Sequence, residues 1–214
     1  VIWWNLCCLA SYTGEALDLK KRPYKLMGSF FSKLFGAAFG SQQLRVLLLG
    51  LDNAGKTTTL LQMIGKQGET VPTIGFSVEK VKFGNLEFVV WDVAGQERLR
   101  PFWRHYYRGT SGVIFIVDST DKDRMAVAKK ELHGILKEEE LKYATLLILA
   151  NKMDLKGAMK TDEMSKELEL EKITTKKHNI FPTVAKTGQG LKEAITWLSE
   201  NMKPVSSYQN EAKG

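Results

Sequence analysis

The chain has 214 residues, 43% of them hydrophobic, and a formal net charge of +7. Such a length and apolar content fit one domain with a full core and exclude a disordered chain, and no apolar run reaches the ~18 residues of a membrane span. The basic excess points to an anionic partner, but the lysines and arginines are scattered rather than set in a stripe with interleaved aromatics, so nucleic acid is not expected.

Residues 1–26 run from an apolar start to a basic end at Lys20-Lys21-Arg22, the reverse of a secretory signal. Met27-Gly28-Ser29-Phe30-Phe31-Ser32 then matches the N-myristoylation signal M-G-x-x-x-[ST], with Gly28 as the acceptor. That chemistry needs a free terminal glycine. Met27 is therefore read as the start and 1–26 as translated upstream sequence, a genuine extension being the alternative. Phe30, Phe31, Leu34, Phe35, Ala38 and Phe39 form one stripe of a helix over 27–40. One myristoyl chain anchors only marginally, so this amphipathic helix reads as a second, interfacial membrane element; a helix packed on the core is the alternative. The only cysteines, Cys7 and Cys8, lie in the prefix, leaving no disulfide framework from Met27 onward.

The β-prone run Leu44–Leu49 leads into Gly50-Leu51-Asp52-Asn53-Ala54-Gly55-Lys56-Thr57, which fits G-x-x-x-x-G-K-[ST], the P-loop. Its backbone N–H groups cradle phosphates, Lys56 neutralises the terminal ones and the Thr57 hydroxyl sits on Mg²⁺. Thr58–Ile64 reads as the helix whose N-terminus faces those phosphates. In Pro72-Thr73-Ile74-Gly75-Phe76, Thr73 would add a second hydroxyl to Mg²⁺ when a γ-phosphate is present, or serve as an ordinary turn threonine. Phe76–Val81 and Leu86–Asp92 read as two strands joined at Gly84-Asn85. The second ends in Trp91-Asp92-Val93-Ala94-Gly95-Gln96-Glu97. There Asp92 would hold Mg²⁺ through water, Gly95 would bring its N–H to the terminal phosphate and Gln96 would orient an attacking water.

Arg98–Tyr107 is aromatic-rich and partly helical. Gly112–Asp118 and Leu146–Ala150 are continuous apolar runs typical of parallel strands buried on both faces. Met125–Leu141, Thr161–Ile173 and Gly190–Met202 read as helices and Ile180–Thr183 as a short strand. The charge run Lys137-Glu138-Glu139-Glu140 reads as a solvated helix face. Strands alternating with helices predict a doubly wound α/β sheet with one antiparallel edge hairpin. After the second buried run come Asn151-Lys152-Met153-Asp154, a guanine-specific element. The Asp154 carboxylate accepts from two N–H groups that adenine cannot match, Lys152 covers the base and Asn151 ties the loop to the P-loop. In Thr183-Val184-Ala185-Lys186 the Ala185 N–H would reach guanine O6.

In this order the motifs resemble those of a small GTPase of the Ras superfamily. Gly50-Leu51-Asp52, Pro72–Phe76, Trp91-Asp92-Val93 and Arg100-Pro101-Phe102-Trp103-Arg104-His105-Tyr106 narrow the resemblance to the ADP-ribosylation factor (Arf/Arl) family, over 27–203. The resemblance implies a P-loop NTPase small G domain over 41–203: a six-stranded, mostly parallel sheet with one antiparallel edge strand, helices on both faces and the amphipathic helix in front. A polar tail, 204–214, lacks the cysteine that prenylation needs.

Carried over by position, Asp52, Asn53, Ala54, Gly55, Lys56, Thr57, Thr58, Thr73 and Gly95 would hold the nucleotide. Asn151, Lys152, Asp154 and Ala185 would read guanine, and Gln96 with Lys56 would be catalytic. Thr57, Thr73 and Asp92 would serve Mg²⁺, and Phe76, Trp91 and Tyr106 would form the effector triad. Ala94, Met153 and Lys186 depart from the family's usual Gly, Gln and Thr, and the segment before Thr73 is one residue short. The expected protein is a monomer that binds GTP or GDP with Mg²⁺. Its expected partners are a guanine-nucleotide exchange factor, a GTPase-activating protein, coat or tether effectors and a membrane surface. It would cycle between cytoplasm and Golgi or other endomembranes, regulating vesicle traffic.

Hydrolysis is expected to be slow. No arginine lies between Lys66 and Pro72 to act in cis, and the Asp52 carboxylate is expected to oppose charge at the phosphates. The alternative is an Arf-like scaffold that binds effectors with little hydrolysis. A P-loop ATPase or nucleotide kinase is opposed by Asn151–Asp154, and a Rab-like GTPase by the cysteine-free tail.

Overall fold

The computed structural model describes residues 42–66, 75–83 and 86–204. Five expectations lie outside the described residues: the 1–26 prefix, the 27–40 helix with Gly28, Thr73, the Gly84-Asn85 turn and the tail beyond Pro204.

Six strands form one sheet in the order β2-β3-β1-β4-β5-β6. They are β1 (Gln42–Leu49), β2 (Phe76–Phe83), β3 (Leu86–Val93), β4 (Gly112–Asp118), β5 (Thr145–Asn151) and β6 (His178–Pro182). β2 pairs antiparallel with β3, and every other pairing is parallel. β4 and β5 are buried along their whole length. This is why their sequences show unbroken apolar runs: helices cover both faces of the parallel region. β2, at the edge, alternates exposed and partly buried residues over most of its length.

Side chains alternate across the strands and divide the core. On one face Leu47, Leu49, Phe115 and Ile148 pack with Ala128, Leu132 and Ile135 of α2 (Met125–Leu136) and Met164 of α3 (Thr161–Glu167). On the other, Val46, Leu48, Ile114 and Leu147 pack with Leu60 of α1 (Lys56–Met63) and Ala194, Ile195 and Leu198 of α4 (Leu191–Asn201).

Several helix boundaries differ from expectation for packing reasons. The Met125 helix ends at Leu136, Glu138 turns extended, and a 3₁₀ turn at Glu139–Leu141 buries Leu141 to 1% exposure. Thr161–Ile173 is split at Glu169, which adopts φ 53° and lets Leu170 and Ile173 turn into the core. Lys129 (3.3 Å) and Lys172 (2.8 Å) hold the Glu169 carboxylate. The segment read as partly helical is a 3₁₀ helix, Glu97–Tyr106, with Pro101, which has no N–H, inside it. The last strand starts earlier than expected, at His178, and ends at Pro182.

Candidate functional site

The described motifs converge at the carboxyl edge of the parallel strands, the ligand-binding edge of open α/β sheets. Between β1 and α1 the P-loop makes its turn with Gly50 at φ 139°, Asn53 at φ 61° and Gly55 at φ 98°. At Gly50 the carbonyl oxygen of Ile116 would lie 2.2 Å from an added Cβ, so glycine is required by space as well as by dihedral. Gly55 caps α1 with no side-chain bond, and the first turn of the helix has no acidic residue. The N-terminus of α1 therefore offers backbone N–H groups and the positive end of the helix dipole to an anion. Lys56 is buried and curls back to donate to the Leu51 carbonyl at 2.8 Å. Burial lowers its ammonium to about 8, against the opposing pull of the Asp92 and Asp52 carboxylates.

Thr57 Oγ1 donates to Asp92 Oδ2 at 2.7 Å, with Asp92 at 0% exposure. A hydroxyl oxygen and a buried carboxylate, both hard donors, fit Mg²⁺, which takes one or two protein oxygens beside phosphate. Gly95 lies against the P-loop: a Cβ there would meet the Gly50 carbonyl oxygen at 2.3 Å and Lys56 Nζ at 2.5 Å. Its own carbonyl accepts the Asp52 N–H at 3.2 Å and Arg100 Nε at 3.0 Å. The preceding residue is pinned from both sides. Ala94 donates its N–H to Gly75 O at 2.9 Å and accepts from Trp103 Nε1, also at 2.9 Å. Gln96, next along, is exposed.

Asn151 bridges the two halves of the site. Its Nδ2 donates to the Ala54 carbonyl at 2.8 Å, and its Oδ1 accepts the Ala185 N–H at 3.0 Å. The P-loop, the Asn151–Asp154 loop and the Ala185 loop are thereby joined through one buried amide. Asp154 is exposed at the rim, and Lys152, at φ 65°, pairs with Asp118 at 2.7 Å. Phe76, Trp91 and Tyr106 meet as a cluster with ring centroids 5.2–5.6 Å apart. Arg45 lies 4.2 Å over the Trp91 ring, and Phe76 is 49% exposed.

The Asp52 expectation needs correcting. Its carboxylate does not face the phosphates uncompensated, because Arg124 (3.1 Å) and Arg100 (3.6 Å) pair with it. Arg124 is itself held by Asp121, and Arg100 by Glu131. Asp52 is thus paired rather than free, although both guanidiniums are shared with a second carboxylate, so its charge is a weaker ground for expecting slow turnover than the absent arginine.

Reading the sequence alone missed Arg100, Trp103, Arg124 and Asp118 as parts of the site. Arg100 and Trp103 stood inside a quoted motif without a role. Arg124 and Asp118 had no local signal of a place in the site, since Asp52 and Lys152 are brought to them by the fold.

The family model described as "ADP-ribosylation factor family" matches residues 27–202. ADP-ribosylation factor 1 of Brassica rapa subsp. pekinensis is 50% identical over 181 residues, 84% of this chain and 100% of the relative. ADP-ribosylation factor 3 of Arabidopsis thaliana is 49% identical over the same length and coverage. Among solved structures, the Arl6 (BBS3) small GTPase of Trypanosoma brucei, with bound nucleotide analogue GppNp, matches with TM-score 0.71 and 34% identity. That match covers 74% of this chain and 96% of the other.

Proposed function

The chain belongs to the ADP-ribosylation factor family of small GTPases, and from that premise we propose that it is a Mg²⁺-dependent switch in vesicle traffic, attached to endomembranes with GTP and released with GDP. The observation that carries this reading is the Asn151 bridge to Ala54 and Ala185. It fixes the guanine reader to the phosphate cradle, so base identity and phosphate number are sensed by one connected body.

In this reading Asp154 accepts from the guanine edge, the Ala185 N–H meets O6 and the stem of Lys152 covers the base. Lys56 and the α1 N-terminus hold the phosphates. Thr57, Thr73 when a γ-phosphate is present, and Asp92 through water would hold Mg²⁺, which would supply positive charge at the terminal phosphates. Gly95 offers its N–H to the γ-phosphate, and Gln96 orients the attacking water in line. Arg100 and Arg124 are engaged by carboxylates, so the transition-state arginine comes from a GTPase-activating protein. The exposed Phe76 cluster is the face offered to coat or tether effectors, and an exchange factor resets the switch. Gly28 carries myristate, and the 27–40 helix adds the second membrane element.

The test is flotation with anionic liposomes, using protein begun at Met27 and co-expressed with an N-myristoyltransferase. GTP-analogue-loaded protein should float and GDP-loaded protein should not, and Gly28→Ala should abolish recovery. Equal recovery of both nucleotide forms, or of the Gly28→Ala variant, would refute the membrane cycle.

A further inference from the structure

We propose that Asp118 is a positioning residue for Lys152 and thereby sets how long a guanine nucleotide stays bound. The inference rests on the reading of Lys152 as the lysine that covers the base, and extends it to a residue outside the nucleotide motifs.

The fold places the pair side by side. Asp118 ends β4 directly opposite Asn151, the last residue of β5. The next backbone bond continues the tie, with the Ser119 N–H donating to the Asn151 carbonyl at 2.9 Å. Lys152 leaves the strand in the left-handed region, at φ 65°, a conformation that costs a non-glycine residue and must be held by its surroundings. Its ammonium then meets Asp118 Oδ2 at 2.7 Å.

The two carboxylate oxygens divide their work. Oδ1 accepts the Thr120 N–H at 2.9 Å and the Thr120 hydroxyl at 2.7 Å, which fixes the carboxylate. Oδ2 takes the lysine. Asp118 is 8% exposed. Burial tends to raise its carboxyl, but the bonds from Lys152 and Thr120 outweigh burial and hold it below the ordinary value. A lysine on a four-carbon stem is otherwise free among many rotamers, and ordering it would be charged to every binding event. Pinned at its tip, the stem is laid in place before the nucleotide arrives, and such preorganisation strengthens binding without a new ligand contact.

Asp118→Asn isolates the charge. Its amide oxygen can still accept both Thr120 bonds, so the turn is kept while the lysine loses its counter-ion. The measurement is release of a fluorescent GDP analogue at fixed Mg²⁺, in wild-type and Lys152→Ala backgrounds. In the wild-type background release should be about tenfold faster, equivalent to ~1.4 kcal/mol. In the Lys152→Ala background the same substitution should change nothing further, because the residue acts only through the lysine. An unmoved Asp118→Asn rate beside an accelerated Lys152→Ala rate would overturn this proposal alone. Equal acceleration in both backgrounds would overturn it too, by showing that Asp118 works through the Thr120 turn. A Lys152→Ala protein releasing at the wild-type rate would instead refute the base-covering role itself.

Discussion

Gly95 shows how much one missing methyl group can decide. Its Cα lies so near the P-loop that a Cβ would fall 2.3 Å from the Gly50 carbonyl oxygen and 2.5 Å from Lys56 Nζ. Gly95→Ala must therefore push the segment away from the place a γ-phosphate would occupy, while leaving the base reader untouched. The expected result is a GTP-analogue affinity that falls at least ~10-fold relative to GDP, since GDP has no γ-phosphate for the Gly95 N–H to meet. Equal losses for the two nucleotides in a competition assay would contradict the sensing role. Residues of this kind were legible in the sequence where their chemistry is local. The P-loop needs its glycines, lysine and threonine within eight positions, so spacing alone exposes it. Arg124 works on Asp52 from 72 residues away. Nothing near either residue announces the other, and an aspartate read without its partners was credited with a free charge it does not have.

Among the elements, the parallel strands and the edge hairpin play different mechanical parts. β1, β4 and β5 are buried on both faces, whereas β2 is paired on one side only and half exposed. A two-residue slip of such a hairpin would keep each side chain on its own face, where a one-residue slip would not. Phe76, at the start of β2, should matter for partners far more than for folding. Phe76→Ala is expected to lower stability by less than ~1 kcal/mol, as for an exposed site, whereas Leu132→Ala in the α2 core should cost ~2–5 kcal/mol. Urea unfolding of the two variants measures both, and a Phe76→Ala loss as large as that of Leu132→Ala would show the aromatic cluster to be core. Strand existence was legible because buried apolar runs and an alternating edge are sequence patterns. Helix ends were not: Glu138 and Glu169 break their helices so that Leu141, Leu170 and Ile173 can reach the core, a demand made by tertiary packing.

At the scale of the molecule, one sheet presents the described motifs along a single edge. Asn151 links loops that lie 97 residues apart, and Gly95 brings the edge hairpin to the same place. A site assembled this way can bind tightly and still react slowly. In the proposed reading Lys56 and the α1 N-terminus would hold the phosphates, while Arg100 and Arg124 are both engaged by carboxylates. Slow reaction is what a switch requires, because the GTP state must outlast its encounter with effectors. The most direct test of the account is therefore single-turnover hydrolysis of bound GTP, with and without the catalytic domain of an Arf-class GTPase-activating protein. Unaided turnover below about 10⁻² s⁻¹, accelerated at least ~10³-fold by the activator, is the predicted result. Hydrolysis at several per second without help, or no response to the activator, would contradict it.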